Sequence, residues 1–298
     1  MKPLTSIAEL VQQAEAQGCG LHEAALQVEL QVNGQAREAV LAQMQQRLDT
    51  MRDSVVRGLA ARQGRSLSGM TGGDAARLGA WLEGRTPATG TIVSRAMLYA
   101  IAVNEVNAAM GCIVAAPTAG TSGALPGVLF SLQESLGLSE ETVLHGLITA
   151  GAVGVIIGWR AMLSGAEGGC QAEVGAGAAM AAAAAVEMQG GTPRQAAHAL
   201  AITLKNMLGL VCDPVAGLVE VPCILRNASG AAQALVAADL ALAGIESLIP
   251  PDEVIDAMGQ VGRLLDVRFK ETAQGGIAAS PTGRRLAAQL RSEWGNTR

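Results

Sequence analysis

From Gly90 to about Pro251 the chain alternates apolar stretches of about 15 to 20 residues with short loops dense in Gly and Pro, and no two-residue alternation is sustained in that span. This texture argues against a core built on sheets. It predicts helices over residues 91–110, 125–136, 140–163, 174–189, 193–209, 228–246 and 252–264. The run from Ala178 to Ala185 would pass for low complexity, but Ala has the best helix propensity and permits close backbone contact, so a buried central helix is the simpler reading. Aromatic residues are only 2% of the chain, which suits close-packed helices better than sheets, although a GC-rich genome would also enrich Ala and Gly. The fold class expected is mainly α, a Gly/Ala-rich helical domain with short Gly/Pro-rich loops.

Upstream, Ser6 and Glu9 have the spacing of a capping box, Ile7, Leu10, Val11 and Ala14 recur at helical intervals, and Gly18 and Gly20 close the pattern. After Asn33-Gly34, a long amphipathic segment places Val40, Met44, Leu48, Met51 and Val55 on one face and Arg37, Glu38, Arg47 and Arg52 on the other. Residues 1–65 therefore read as a helical appendage, bounded near the stretch Arg62 to Gly73, and residues 66–298 as the main domain, the two being able to form one continuous unit. No repeat is visible, and no flexible linker before the tail after Gly283.

With half of its 298 residues apolar, the chain can bury one large core or two modest ones. A net charge of −5 with scattered basic residues marks no surface for nucleic acid or anionic lipid, so a small-molecule substrate is expected. Residues 1–30 carry Glu9, Glu15 and Glu23 and no cleavable apolar core, which points to the cytoplasm. The most continuous apolar stretch, Gly146 to Trp159, falls short of the roughly 18 to 20 residues that cross a bilayer and reads as a buried helix.

Five cysteines occur, and in a cytoplasmic protein they should not be paired as disulfides. Cys170, Cys212 and Cys223 each sit in or beside Gly or Pro, where backbone can approach a bulky inorganic group and offer it N–H donors. Cys19 ends a helix and Cys112 follows Met110-Gly111, and both read as small buried apolar residues. Three thiolates are one short of a closed zinc site or a fully ligated cluster, and a cubane so held leaves one iron open as a Lewis acid. Ordinary buried cysteines could be spaced this way too, and spacing alone leaves the two readings level.

The segments GMTGGD (69–74), AVNEVNAAMG (102–111), AAPTAGTSGALPGVL (115–129), SGAEGGCQAEVG (164–175), LKNMLGLVCDPVAGLVEVPC (204–223) and KETAQGGIAASPTG (270–283) are long, unusual and in order. In them the chain resembles the α chain of iron–sulfur-dependent L-serine dehydratases. The resemblance covers nearly the whole chain and is strongest from Gly69 to Gly283. It implies a catalytic domain built around a [4Fe–4S] cluster held by Cys170, Cys212 and Cys223, and conversion of L-serine to pyruvate and ammonia. Serine has a poor leaving group and a weakly acidic α-hydrogen, so elimination needs charge stabilised at the departing hydroxyl and a base at Cα.

The natural holders of the substrate's carboxylate and ammonium are the loops Thr71-Gly72-Gly73-Asp74 and Thr118-Ala119-Gly120-Thr121-Ser122, which combine hydroxyls with backbone N–H groups. Ser164, just ahead of Cys170, and Lys205 and Asn206, ahead of Cys212, complete the candidate set. Read as structure, these loops are tight helix connections, and Asp74 caps the helix that follows. Asn104 and Asn107 read as braces, and Glu271 and Thr272 are expected to return to the site.

The catalytic base is not identifiable, since His22, His145 and His198 lie on expected helix faces and match no catalytic motif. The family occurs as single long chains and as α/β pairs, and this chain matches only the α part. A separate β subunit is therefore expected to bring the base, docking on helices 91–110 or 140–163, with higher oligomers open. Alternatives are a related three-cysteine lyase acting on cysteine or threonine, and a non-catalytic iron–sulfur sensor. Pyridoxal phosphate chemistry would need Lys2, Lys205 or Lys270 as its anchor, in a chain without the strand–helix alternation of common pyridoxal folds.

Overall fold

Thirteen α-helices make up the regular structure of this computed structural model, which describes residues 4–60 and 65–295, and no strand occurs among them. The Ala-rich segment is the central helix, α9 (Ala176–Met188), in which every residue except Glu187 is buried. Around it pack α6 (Ala124–Leu136), α7 (Glu140–Arg160), α10 (Pro193–Met207) and α11 (Cys223–Leu242). Small side chains on α9 let four helices approach one axis at once, and the tight fit is visible at Gly154 on α7, where a Cβ would stand 3.0 Å from the Met180 side chain of α9.

On the flank, α5 (Gly90–Ala108) lies against α6, α11 and α3 (Arg37–Leu59). The α3–α5 crossing is close: a Cβ at Gly58 would stand 2.2 Å from the Ala102 carbonyl oxygen. The first helix, α1 (Ile7–Gln17), starts as its sequence predicts, with the Ser6 hydroxyl accepting from the Glu9 N–H at 3.1 Å. It leads into α2 (Leu21–Asn33), which packs on α7. Ile7, Leu10, Leu21, Leu48 and Met51 from these first helices share one core cluster with α7 and α9. Part of the expected boundary, residues 62–64, lies outside the described residues.

The apolar segment before Arg160 forms part of α7, 21 residues long. By length and composition it could cross a membrane, but 61% of its most apolar window is buried inside the fold. The remaining helices are α4 (Asp74–Leu82), the single turn α8 (Gly165–Gly168), α12 (Pro251–Leu264) and α13 (Pro281–Gly295).

Four expectations need correction. The tail after Gly283 is not loose through its described part, because α13 runs to Gly295 and buries Leu290. The helix expected from residue 228 begins at Cys223, so that cysteine sits on its first turn. Asp74 is the first residue of α4 and does not cap it; its carboxylate pairs with Arg77 at 2.9 Å. Cys112 is exposed, not buried, whereas Cys19 is half-buried and packs against the main core cluster.

Candidate metal centre

Cys170 heads a π turn, Gln171–Gly175, that runs directly into α9, an arrangement frequent at functional sites. The adjacent Gln171 fastens this turn to the next cysteine loop. Its backbone N–H donates to the Leu210 carbonyl at 2.9 Å, and its side-chain oxygen accepts from the Gly209 N–H at 2.8 Å. Cys212 is then fixed from the far end of the chain: its N–H donates to the Phe269 carbonyl and its own carbonyl accepts from the Glu271 N–H, both at 2.8 Å. Glu271 and Ala273 hold left-handed φ values of 63° and 55° there, a strain of about 1–3 kcal/mol each that the surrounding bonds must sustain.

The third cysteine arrives through Asn227 on α11. Its amide donates to the Cys223 carbonyl at 3.0 Å and to the Gly120 carbonyl at 2.7 Å, and its oxygen accepts from the N–H groups of Gly123 and Ala124. One side chain thus joins the Cys223 turn to the loop Thr118–Ser122. Within that loop Thr118 and Ala119 reach the surface while Gly120, Thr121 and Ser122 are buried, and the Ser122 hydroxyl has no hydrogen-bond partner among the described residues.

All three thiols are buried and free of disulfides. The sulfurs of Cys170 and Cys212 and a carboxylate oxygen of Glu173 lie within 4.8 Å of one another, and Glu173 approaches Cys212 Sγ at 3.9 Å. Cys223 stands outside that tight group but senses its charge: burial, then Cys170 and Glu173, push its thiol up to about 12. The hydrogen bond with Cys212 draws Cys170 below the ordinary thiol range and pushes Cys212 above it, with burial adding to the second shift and opposing the first. Burial also raises Glu173.

Arg226 supplies the cation beside this nest. Its guanidinium donates to the Val211 carbonyl at 2.8 Å and pairs with the buried Asp213 at 2.8 Å; burial opposes its charge, which Cys170 and Asp213 sustain. Asp213 in turn accepts from the Ile277 N–H at 2.7 Å, which holds the 270–283 segment against the site.

The loop Thr71–Asp74 is drawn in by Glu220, a buried carboxylate between Cys212 and Cys223 in the chain. It accepts from the hydroxyls of Thr71 at 2.7 Å and Ser68 at 2.8 Å. Gly72 and Gly73 take φ values of 129° and 85°, open to Gly at little cost. Ser164 caps α8, its hydroxyl accepting from the Ala166 N–H, and so sets the turn ahead of Cys170. Lys205 and Asn206 are on the last turn of α10, half-buried and exposed, and neither bonds to the cysteine loops among the described residues. The Thr272 hydroxyl closes a local turn on Val267, whereas Glu271 acts on Cys212 through its charge. Among the described residues the Asn104 side chain bonds within α5, its amide donating to the Ala100 carbonyl.

Glu173, Asp213, Glu220, Arg226 and Asn227 carry the architecture of the site, and none was singled out from the sequence. Three buried thiols suit iron better than hard cations, and the donors crowd where a side chain would interfere: a Cβ at Gly165 would stand 2.8 Å from Cys212 Sγ and 2.6 Å from Glu173 Oε2. The residues present therefore fit a thiolate-held cluster.

The histidines lie elsewhere. His22 and His145 stack with ring centroids 3.8 Å apart, and His22 Nδ1 is 2.6 Å from Glu187. The Nδ1 of His198 accepts from the Ser247 N–H at 3.1 Å.

Residues 5–278 match the family described as serine dehydratase alpha chain. The chain is 49% identical over 285 residues to the probable L-serine dehydratase alpha chain of Bacillus subtilis, covering 96% of this chain and 94% of that one. It is 41% identical over 290 residues to the L-serine dehydratase alpha chain of Peptoniphilus asaccharolyticus, covering 97% and 99%. With the L-serine dehydratase TdcG of Escherichia coli it shares 41% identity over 183 residues, which is 61% of this chain and 40% of that longer one.

Proposed function

The chain belongs to the serine dehydratase alpha-chain family, and from that premise we propose that it converts L-serine to pyruvate and ammonia as the iron–sulfur subunit of a cytoplasmic two-chain enzyme. The observation that carries the cofactor assignment is the meeting of Cys170 and Cys212, distant in sequence, in one buried nest beside Arg226, with the buried Cys223 close enough to feel the charge of Cys170. These three residues would hold a [4Fe–4S] cluster. When bound, such a cluster would supply a Lewis-acidic iron able to stabilise negative charge on a leaving hydroxyl.

The chain's own groups do the rest of what it can do alone. Arg226 offsets negative charge gathered at the sulfurs. Thr118 and Ala119 reach the surface of a loop anchored to the Cys223 turn by Asn227, and Thr71 and Gly72 lie on a loop anchored by Glu220. With the Thr71 and Thr118 hydroxyl protons engaged by Glu220 and Glu173, what both loops offer a small zwitterion is backbone N–H groups and hydroxyl lone pairs. The 2-aminoacrylate released by loss of water tautomerises to an imine and hydrolyses without further help.

The alpha-chain kinship implies a separate β chain. Of the two helices expected to receive it, α5 is committed to α3, α4, α6 and α11, whereas α7 leaves Val155 and Trp159 exposed. Anaerobic reconstitution with iron and sulfide, followed by a pyruvate assay on L-serine with and without the β chain, tests the proposal. A protein that folds but takes up no iron would refute it.

A further inference from the structure

We infer that Glu173 is the fourth protein donor of the metal centre, its carboxylate occupying in the resting protein the corner that Cys170, Cys212 and Cys223 leave without a thiolate; the inference rests on the iron–sulfur reading above. The geometry around Glu173 is that of an aimed ligand. Its Oε1 accepts from the Thr118 hydroxyl at 2.9 Å, which leaves Oε2 turned to Cys212 Sγ at 3.9 Å. The Gly165 backbone N–H bonds to the carboxylate as well, so two donors fix its orientation while Oε2 faces Cys212.

Space has been cleared for this carboxylate on the side of Gly165, where a Cβ would stand 2.6 Å from Oε2. Glu173 also shares the π turn with Cys170, three residues on, so the turn that delivers the first thiolate delivers the carboxylate as well.

Charge points the same way. A carboxylate buried against thiols, with Glu271 adding repulsion, is costly unless a cation stands between them. Arg226 already has Asp213 and Cys170 to offset, which leaves Glu173 for a metal. Carboxylate oxygen is also a harder ligand than thiolate and holds iron less tightly. A substrate bearing both hydroxyl and carboxylate can therefore displace it while the three cysteines stay bound. The corner is closed to water and oxidants at rest and opens to serine.

The test is hyperfine spectroscopy of the reduced, cluster-loaded protein in water enriched in oxygen-17. The wild-type resting cluster should show no oxygen-17 coupling, and E173Q, with its weaker amide donor, should admit water and show it. In air, E173Q should pass to the three-iron form several-fold faster than the wild type, whereas E173C, with a fourth thiolate, should give no three-iron signal. Oxygen-17 coupling already present in the loaded wild type would overturn the assignment of Glu173 and leave the cluster intact. Absence of any cluster in the wild type would instead overturn the iron–sulfur reading. Because the deciding measurement is on the unaltered protein, a variant that misfolds does not affect it.

Discussion

The carboxylate of Glu105, on α5, accepts from the backbone N–H of Asp74 at 2.6 Å and so caps a helix to which it does not belong. A second bond, from the Ala75 N–H at 3.3 Å, satisfies another of the donors that α4 leaves open at its N-terminus. Burial raises the pKa of Glu105, and the residue fixes one end of the loop Thr71–Gly73 while Glu220 fixes the other. Glu105→Ala should cost about 2 kcal/mol in urea unfolding, the upper range for losing a helix cap. It should also raise KM for serine more than it lowers kcat. Glu105→Gln keeps one acceptor oxygen and should lose less on both counts. Equal KM in wild type and Glu105→Ala would separate this loop from substrate binding.

Replacing Cys170, Cys212 or Cys223 by Ser should abolish iron uptake and serine turnover together, because all three thiols are buried, Cys170 and Cys212 meet in one nest and Cys223 feels the charge of Cys170. Cys19→Ala and Cys112→Ala should leave both intact, as one residue is half-buried at a helix end and the other is exposed. Iron content and pyruvate formation are the two readouts, and full activity in any of the three ligand variants would remove that residue from the ligand set.

What the sequence discloses about this fold and site, and what it hides, follows from the range of the interactions involved. The central helix is legible because Ala178 to Ala185 can satisfy neither a strand nor a solvent-facing helix well. The cysteines stand out because Gly and Pro beside them are local marks. Glu220, Asn227 and Glu173 carry no such mark: the partners that define them lie 149, 107 and 55 positions away, and in the sequence each is one polar residue among many. The same reason defeats the reading of Asp74, since the true cap of α4 comes from another helix. The tail misleads because α13 buries little more than Leu290, too small a stripe to stand out in a polar segment.

The stacked pair His22 and His145 should make stability fall in mild acid. Burial, then the charge of His22, push His145 below its ordinary value of 6.5, against smaller opposing effects of Glu141, Glu187 and Glu23. The unfolded chain then binds the proton more readily than the folded one. Stability is therefore fully present above about pH 6.5 and declines as pH falls through the lower folded value. Urea midpoints of the wild type should drop between pH 7.5 and 5.5 by more than those of His145→Phe, which keeps the stack but cannot titrate. Parallel pH profiles for the two proteins would assign the acid sensitivity to other groups.

The chain alone should turn serine over weakly, and a β chain should raise the rate by orders of magnitude. Elimination needs a base poised near neutral pH at the substrate's Cα, and His is the side chain best suited to it. Neither of the two histidines nearest α9 can serve. Glu173 and Glu187 are 14 positions apart along the π turn and α9, which at 1.5 Å per residue puts His22 and His145 about 20 Å from the cysteine nest. His198 is on α10 with its Nδ1 engaged by the Ser247 N–H. With all three histidines placed in other contacts, the base must come from a residue type with a less convenient pKa or from a partner. The exposed Val155 and Trp159 of α7 offer such a partner apolar surface. Co-expression with the β chain should give a stable complex on co-purification and a steep gain in pyruvate formation. A homogeneous, cluster-loaded single chain as fast as the mixture would place the base within this sequence, on a residue other than His22 or His145.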